Sequence, residues 1–326
     1  MNRLPSIGNL GLTGLKVSAI GLGCWQFSRN KGLNGKYWTY VKQDQVNEIV
    51  GLSLEGGVNW FDTAEAYGGG ESERALSRAL KSLGRKPGQV IIATKWMPVL
   101  RRASSITKTI DVRLKNLDGY PIDLYQIHNP YSFSRVKTEI AAMAELVGQK
   151  KIRYVGVSNF SEARMRRAAD ELQQRGLVLA SNQVRYSLLD RRIESNGVLD
   201  AARELSVTII AYSPLAQGIL SGKFHDDPNL IKKRQGYRKY MKAFKPAGLA
   251  RSWPVVRAVR ELADKHRATP SQVALSWVIN SQGPLVVAIP GATSPDQAKD
   301  NAGALKVELS QGELDRLSEL SSGFKK

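Results

Sequence analysis

Three ionisable residues end three apolar runs of the chain: Asp62 after VNWF, Lys95 in QVIIATK and His128 in IDLYQIH. A fourth, Tyr67, follows Asp62 in the stretch FDTAEAYGGGESE, just ahead of three glycines and an acidic helix opening. A phenol with its ordinary pKa near 10 is a poor proton donor at neutral pH. A lysine ammonium about 4 Å away favours phenolate by about 4 kcal/mol at an effective dielectric of about 20, a shift of about three units toward the useful range. A neighbouring carboxylate holds such a lysine charged in a partly buried site. Asp62 can do this for Lys95, and Tyr67 can fold back over the same point from its loop. His128 can orient a carbonyl as a neutral donor. The chemistry that fits is proton transfer to a carbonyl oxygen, paired with hydride delivery to its carbon. Singly, each residue has a plainer explanation: a loop aromatic, a core histidine, a turn-capping aspartate.

For these groups to meet, the runs that carry them must lie side by side. Eight short apolar runs read as strands: SAIGLG, VNWF, QVIIATK, IDLYQIH, KIRYVGVS, ASNQVRY, VTIIAYS and PLVVAIP. Most are apolar on both faces, as expected of a parallel sheet covered by helices. Amphipathic stretches alternate with them. ESERALSRAL places Ala75, Leu76, Ala79 and Leu80 on one face; SEARMRRAADEL offers Ser161 as N-cap; TPSQVALSWVI offers Thr269 as cap with Pro270 at the first helical position. The pattern predicts a (β/α)8 TIM barrel over residues 1–326 as one domain, with an N-terminal β-hairpin and a long basic loop after strand seven. A doubly wound sheet is the alternative, but GNLGLTG lacks the preceding strand a dinucleotide fingerprint requires, and no GxxxxGK[ST] occurs. Barrel chemistry sits at the carboxyl ends of the strands. The later strands bring Ser158 and Asn159, Asn182 and Gln183, Tyr212 and Ser213, and Pro290 and Gly291 to that rim.

Composition narrows the remaining classes. One cysteine, Cys24, permits no intramolecular disulfide, and the three histidines make no metal-ligand spacing with it. No apolar run reaches the roughly 18 residues of a membrane span. The N-terminus makes a poor signal-peptide core. The expectation is a soluble, cytoplasmic protein. The net charge of +19 is partly concentrated: Lys223 to Arg251 holds nine Lys/Arg against Asp226 and Asp227. A nucleic-acid or anionic-surface partner would suit such a charge, but no nucleic-acid-binding motif accompanies it, so none is expected. No heptad or isolated apolar face declares an interface, which leaves monomer and homo-oligomer both open.

The chain resembles the aldo-keto reductase superfamily from about Leu10 to Leu320. FDTAEAYGGGESE is similar to its Asp/Tyr signature, ATKW to its lysine strand and DLYQIHNP to its histidine strand. RYVGVSNF and IIAYSPLAQGILSGK resemble its cofactor-binding strands. The branch resembled is the bacterial stress and inositol-operon type, itself similar to potassium-channel β-subunits. The resemblance implies NADPH-dependent reduction of a small carbonyl compound, with Tyr67 as proton donor, Lys95 and Asp62 tuning it, and His128 orienting the carbonyl. It also implies that Ser158, Asn159 and Gln183 hold the nicotinamide carboxamide and that Tyr212 stacks under the ring. Ser213, Leu215, Gly218 and Lys223 would follow the pyrophosphate. Gly291, Thr293, Ser294, Gln297 and Asn301 would meet the adenosine end, and Trp25 would join the cofactor side of the mouth. Many relatives carry Arg or Lys where this chain has Thr293, and an arginine where it has Gln297, so NADH is possible as well as NADPH. A capping-box-like start at Ser294, with free backbone N–H groups, would offer an anion site without a charged side chain. The basic loop would supply further charge. Trp25, Trp38, Trp96, Met97, Tyr131 and Phe133 are expected near the substrate mouth. A cofactor-binding regulatory subunit acting through a protein partner is the alternative function.

Overall fold

The computed structural model describes residues 7–28, 38–232 and 237–326, with only the backbone of Tyr237. Lys233 and Arg234 of the basic segment lie outside the described residues. All eight expected strands form, and they pair in chain order: β3 (Leu22–Gly23), β4 (Trp60–Asp62), β5 (Ile91–Trp96), β6 (Leu124–Ile127), β7 (Tyr154–Ser158), β8 (Leu179–Arg185), β9 (Thr208–Tyr212) and β10 (Val286–Ala288). Every pairing is parallel. Parallel bridges Ile20↔Ala288 and Gly23↔Gly291 join the last strand to the first and close the ring. The chain is a TIM barrel.

The described helices around it are α1 (Gln43–Glu55), α2 (Glu71–Ser82), α3 (Ser104–Leu117), α4 (Val136–Gly148), α5 (Glu162–Gln173), α6 (Val198–Glu204), α7 (Pro246–His266), α8 (Pro270–Asn280), α9 (Pro295–Gly303) and α10 (Gln311–Leu320). Their apolar stripes face the strands. Ala75, Leu76, Ala79 and Leu80 of α2 are fully buried in the cluster between helices and barrel. Thr269 caps α8 in a closed capping box with Gln272, whereas Ser161 stands at the N-cap of α5 without a side-chain cap bond. None of the described helices is long and apolar enough to cross a membrane.

A second, smaller core fills the barrel. Trp60, Ala93, Leu124 and Ile210 point inward and meet Leu10, Leu15 and Val17 from an antiparallel hairpin, β1 (Ile7–Asn9) with β2 (Lys16–Ser18). That hairpin plugs the N-terminal end. Gly11 at its tip has φ +56°, and a Cβ there would come within 2.6 Å of the Ala180 carbonyl, so only glycine suits the position. With the bottom closed by apolar groups, the carboxyl end is left for chemistry. After β9, the described residues form short helical turns from Ala216 to Ile231 and again from Tyr237 to Phe244.

Candidate active site

Side chains alternate across a strand, so residues two apart share a face. Trp60 and Ala93 line the barrel interior, and two residues on Asp62 and Lys95 emerge at its rim. Both are buried, Lys95 completely. The Lys95 ammonium donates to Asp62 Oδ1, to the Thr63 carbonyl at 2.8 Å and to the Tyr67 hydroxyl at 3.4 Å. Asp62 Oδ2 accepts from the amides of Gln126 at 3.0 Å and Gln183 at 2.9 Å. The carboxylate is therefore satisfied on both oxygens, which makes its burial tolerable.

The glycines after Tyr67 turn the chain sharply enough to bring the phenol over Lys95. Gly68, Gly69 and Gly70 all have positive φ, and a Cβ at Gly68 would lie 2.4 Å from the Ser28 carbonyl. Glu65 fixes the other side of this loop. It accepts from the Met97 amide at 2.8 Å and from the guanidinium of Arg101, with Arg113 at 3.3 Å. Trp25 stacks on Tyr67 with ring centroids 5.8 Å apart, and His128 meets its edge at 5.6 Å.

Electrostatics differ from the sequence expectation in one respect. Burial pushes the Tyr67 phenol up, and Lys95, partly countered by Asp62, does not reverse it. The phenol is held protonated rather than poised near neutrality. Burial acts against a charged Lys95, but Asp62 and Tyr67 outweigh it and raise its pKa. His128 is lowered to about 3 by burial, with Lys95 adding to the effect. Its ring is neutral at physiological pH, and its buried Nδ1 has no hydrogen-bond partner among the described residues.

A cavity of about 720 Å³ opens from these groups and runs to Thr293, Gln297 and Asn301. Its middle is built from β7, β8 and β9. Ser158 donates to the Gln183 carbonyl at 2.9 Å; Asn159, with φ +58°, donates to Ser158 and accepts from the Tyr212 hydroxyl at 3.1 Å. Gln183 spends its side-chain nitrogen on Asp62 and Gln126, which leaves its side-chain Oε1, distinct from the main-chain oxygen that Ser158 bonds, as the acceptor for a ligand.

Comparison with known proteins gives this arrangement its family. The Aldo/keto reductase family model matches residues 19–322. The chain belongs to the aldo/keto reductase family. It is 38% identical over 311 residues to an uncharacterised oxidoreductase of Mycobacterium tuberculosis, covering 95% of this chain and 91% of that protein. Among solved structures it is similar to the glycerol dehydrogenase of Gluconobacter oxydans, with a TM-score of 0.83 and 27% identity over 98% of this chain and 96% of that one. An aldo-keto reductase from Klebsiella pneumoniae in complex with NADPH matches with a TM-score of 0.73 and 26% identity, over 98% and 96%. The protein is thus an oxidoreductase.

In this aldo/keto reductase, the expected site residues gather on one cavity, with two exceptions. Trp25, Asp62, Tyr67, His128, Ser158, Asn159, Gln183, Tyr212, Ser213, Leu215, Gly218, Lys223, Gly291, Thr293, Gln297 and Asn301 line it. Lys95 lies behind Tyr67, and Ser294 faces away. The Ser294 hydroxyl caps α9 by accepting from Gln297 N–H, but the capping box does not close. Gln297 instead turns its Oε1 to the N–H and hydroxyl of Thr293, at 2.9 and 3.1 Å. Pro295 has no N–H, and Ala298 N–H bonds the Ser294 carbonyl, so the first turn offers an anion little beyond the amide of Asp296. Of the mouth aromatics, Trp38 and Tyr131 line the cavity together with Met97. Trp96 is buried in the core with its Nε1 on Ser105, and Phe133 is exposed elsewhere. Asn182 points outward and bonds the Phe160 carbonyl, because only Gln183 has inward parity at the end of β8.

Three contributors did not stand out in the sequence: Gln126, Cys24 and Asp300. Gln126 carried a signal, a polar residue two before His128 inside an apolar strand. Cys24 sits against the site by donating its backbone N–H to the Asp62 carbonyl at 2.8 Å. Arg238, from the basic segment expected to supply charge, lines the cavity, and its place 4.3 Å over the Trp38 ring is a contact no local pattern predicts. Asp300 lines the far end while accepting from Thr269 at 2.6 Å.

Proposed function

We propose that this aldo/keto reductase reduces aldehydes or ketones to alcohols with NADPH, and that Tyr67 gives the proton. The single observation that carries the reading is a phenol whose oxygen lies 3.4 Å from a buried ammonium, itself locked to a buried carboxylate. A cavity of this length exceeds what a small carbonyl needs and suits a dinucleotide beside it. When bound, the nicotinamide cofactor supplies the hydride that reduces the carbonyl carbon. Ser158, Asn159 and Gln183 Oε1 would hold its carboxamide over Tyr212. Ser213, Leu215, Gly218 and Lys223 would follow its phosphates, and Gly291, Thr293, Gln297 and Asn301 its adenosine.

The chain's own part is proton transfer. As negative charge grows on the carbonyl oxygen, the Tyr67 O–H donates to it and the O–H bond breaks. The phenolate left behind faces Lys95, whose positive charge Asp62 maintains. The high pKa of the resting phenol is compatible with this, because an alkoxide is a far stronger base than a phenolate. Lys95 then acts by stabilising the product state rather than by ionising Tyr67 beforehand. His128, being neutral, can donate one ring N–H to the carbonyl oxygen without competing for the proton.

For the cofactor, NADPH is favoured by the NADPH complex of the Klebsiella relative. The adenosine end carries Thr293 and Gln297 without an arginine, and Asp300 is close by, so NADH should be accepted within about an order of magnitude. The test is oxidation of NADPH and NADH with a small aromatic aldehyde by wild type and Tyr67→Phe. Loss of the acid should lower turnover by about 10²–10⁴-fold and leave cofactor binding in place. Turnover at the wild-type level in Tyr67→Phe would remove Tyr67 as the donor.

A further inference from the structure

The basic segment that stood out in the sequence divides between two cavities. Lys223 and Arg238 line the catalytic one. Lys242, Lys245 and Arg251 turn away from it and line a second cavity of about 640 Å³ on the other side of the loop that follows β9. The two share a wall made by Arg185, Ser213 and Gln217. Ser213, Ala216 and Gln217 all have positive φ, so this dividing wall is a tightly bent stretch of chain.

The second cavity has an apolar floor and a cationic rim. Ile219, Met241 and Phe244 belong to a small hydrophobic cluster beside the main core, Leu189 packs against both, and Phe324, itself against the main core, adds an aromatic face. Arg251 lies over the Phe324 ring at 4.6 Å and is anchored by donating to the Gly323 carbonyl at 2.7 Å. Arg185, Arg192, Lys242, Lys245 and Lys326 share the rim. The one acidic side chain in the lining, Asp190, is engaged by both arms of Arg192 at 2.8 and 2.7 Å. The field in the cavity is therefore strongly positive over an apolar bed. A bare inorganic anion would leave the floor wetted, and a neutral lipid would leave the charges unused.

We propose that this second cavity binds an amphiphilic carboxylate, a compact hydrocarbon body with one carboxylate facing Lys245 and Arg251. This is a site separate from the proposed catalytic one, and its occupancy is read without turnover. Octanoate serves as the probe and 1-octanol as its uncharged counterpart, both titrated by calorimetry into the full chain saturated with NADP. Octanoate should bind about fivefold more tightly than 1-octanol, the upper worth of an ion pair with exposed side chains. The double variant Lys245→Glu/Arg251→Glu changes two exposed side chains and should lose octanoate binding by at least about tenfold while carbonyl reduction persists. Ala243→Trp, which fills the cavity from an exposed position, should abolish binding with the charges intact. Any of three results overturns the proposal: no octanoate binding at millimolar concentration, equal affinity for 1-octanol, or undiminished binding in both variants. Octanoate that competes with the carbonyl substrate equally in wild type and the double variant also overturns it, by placing the ligand in the catalytic cavity.

Discussion

His128 gives the sharpest quantitative test, because its neutrality decides whether it can orient a carbonyl without carrying charge into the site. Burial, with Lys95 behind it, lowers its pKa from 6.5 to about 3. Among described groups that ring faces the Tyr67 edge and the Lys95–Asp62 pair, and neither Tyr67 nor Lys95 favours an imidazolium there. In the unfolded chain the same ring takes up a proton near its ordinary value. The unfolded state thus binds more protons between these two values, and folding stability must drop as the pH is lowered across that window. His128 costs nothing above about pH 7. At pH 4.5 the unfolded ring lies about two units below its pKa and is almost fully protonated, while the folded ring is not. The resulting loss is about 2.7 kcal/mol, rising toward about 5 kcal/mol below the folded pKa.

The perturbation is His128→Gln, which keeps an amide donor and removes the titration. Urea unfolding of both proteins at pH 7.5 and 4.5 isolates the histidine, since the other titrating groups are common to both. The wild type should lose about 2–3 kcal/mol more than the variant between the two pH values, about a hundredfold in the folding equilibrium. Equal losses would refute the neutral-donor role, as would a His128 ring resonance that titrates near 6.5 in the folded protein. The same neutrality predicts that the pH profile of turnover shows no inflection from His128 between pH 5 and 8.

Two further outcomes follow from the site. Gln126→Leu removes one of the two amides on Asp62 Oδ2 and should destabilise the fold by about 2 kcal/mol, read as a lowered urea midpoint. An unchanged midpoint would mean that Gln183 alone satisfies the carboxylate. Thr293→Arg should raise the ratio of NADPH to NADH affinity by about 10- to 100-fold, the worth of one charge-assisted bond to phosphate, in a fluorescence titration of each cofactor. A ratio that does not move would place the adenosine 2′-position away from Thr293.

Much of the site was legible because a parallel barrel repeats one rule eight times. Each strand is largely buried on both faces, so the ionisable and amide groups that interrupt it stand out, and most of them lie toward the carboxyl end, where they meet the rim. Asp62, Lys95, His128, Ser158, Gln183 and Tyr212 all stood out on that ground. The same rule explains Gln126, which broke an apolar strand two residues before His128 and proved to hold Asp62. Parity would have separated Gln183 from Asn182, had the strand face been fixed first. What the sequence could not carry were contacts between loops distant in the chain, such as Arg238 on Trp38.

The Tyr67 phenol shows a deeper limit. Its interaction with one lysine is a pairwise quantity and can be worked out from the residue types alone. Its burial is not, and neither is the opposing effect of Asp62 on the far side of the same lysine. Those contributions depend on how completely Trp25, His128 and the Gly68–Gly70 turn enclose the ring. They reverse the sign of the expected shift. In the proposed reaction the pair Lys95–Asp62 is then not mainly a means of pre-ionising the tyrosine. Its proposed effect falls on the state after the proton has left, when the buried phenolate would otherwise have no counter-charge. Lys95→Met should accordingly harm proton transfer more than ground-state binding of cofactor or carbonyl.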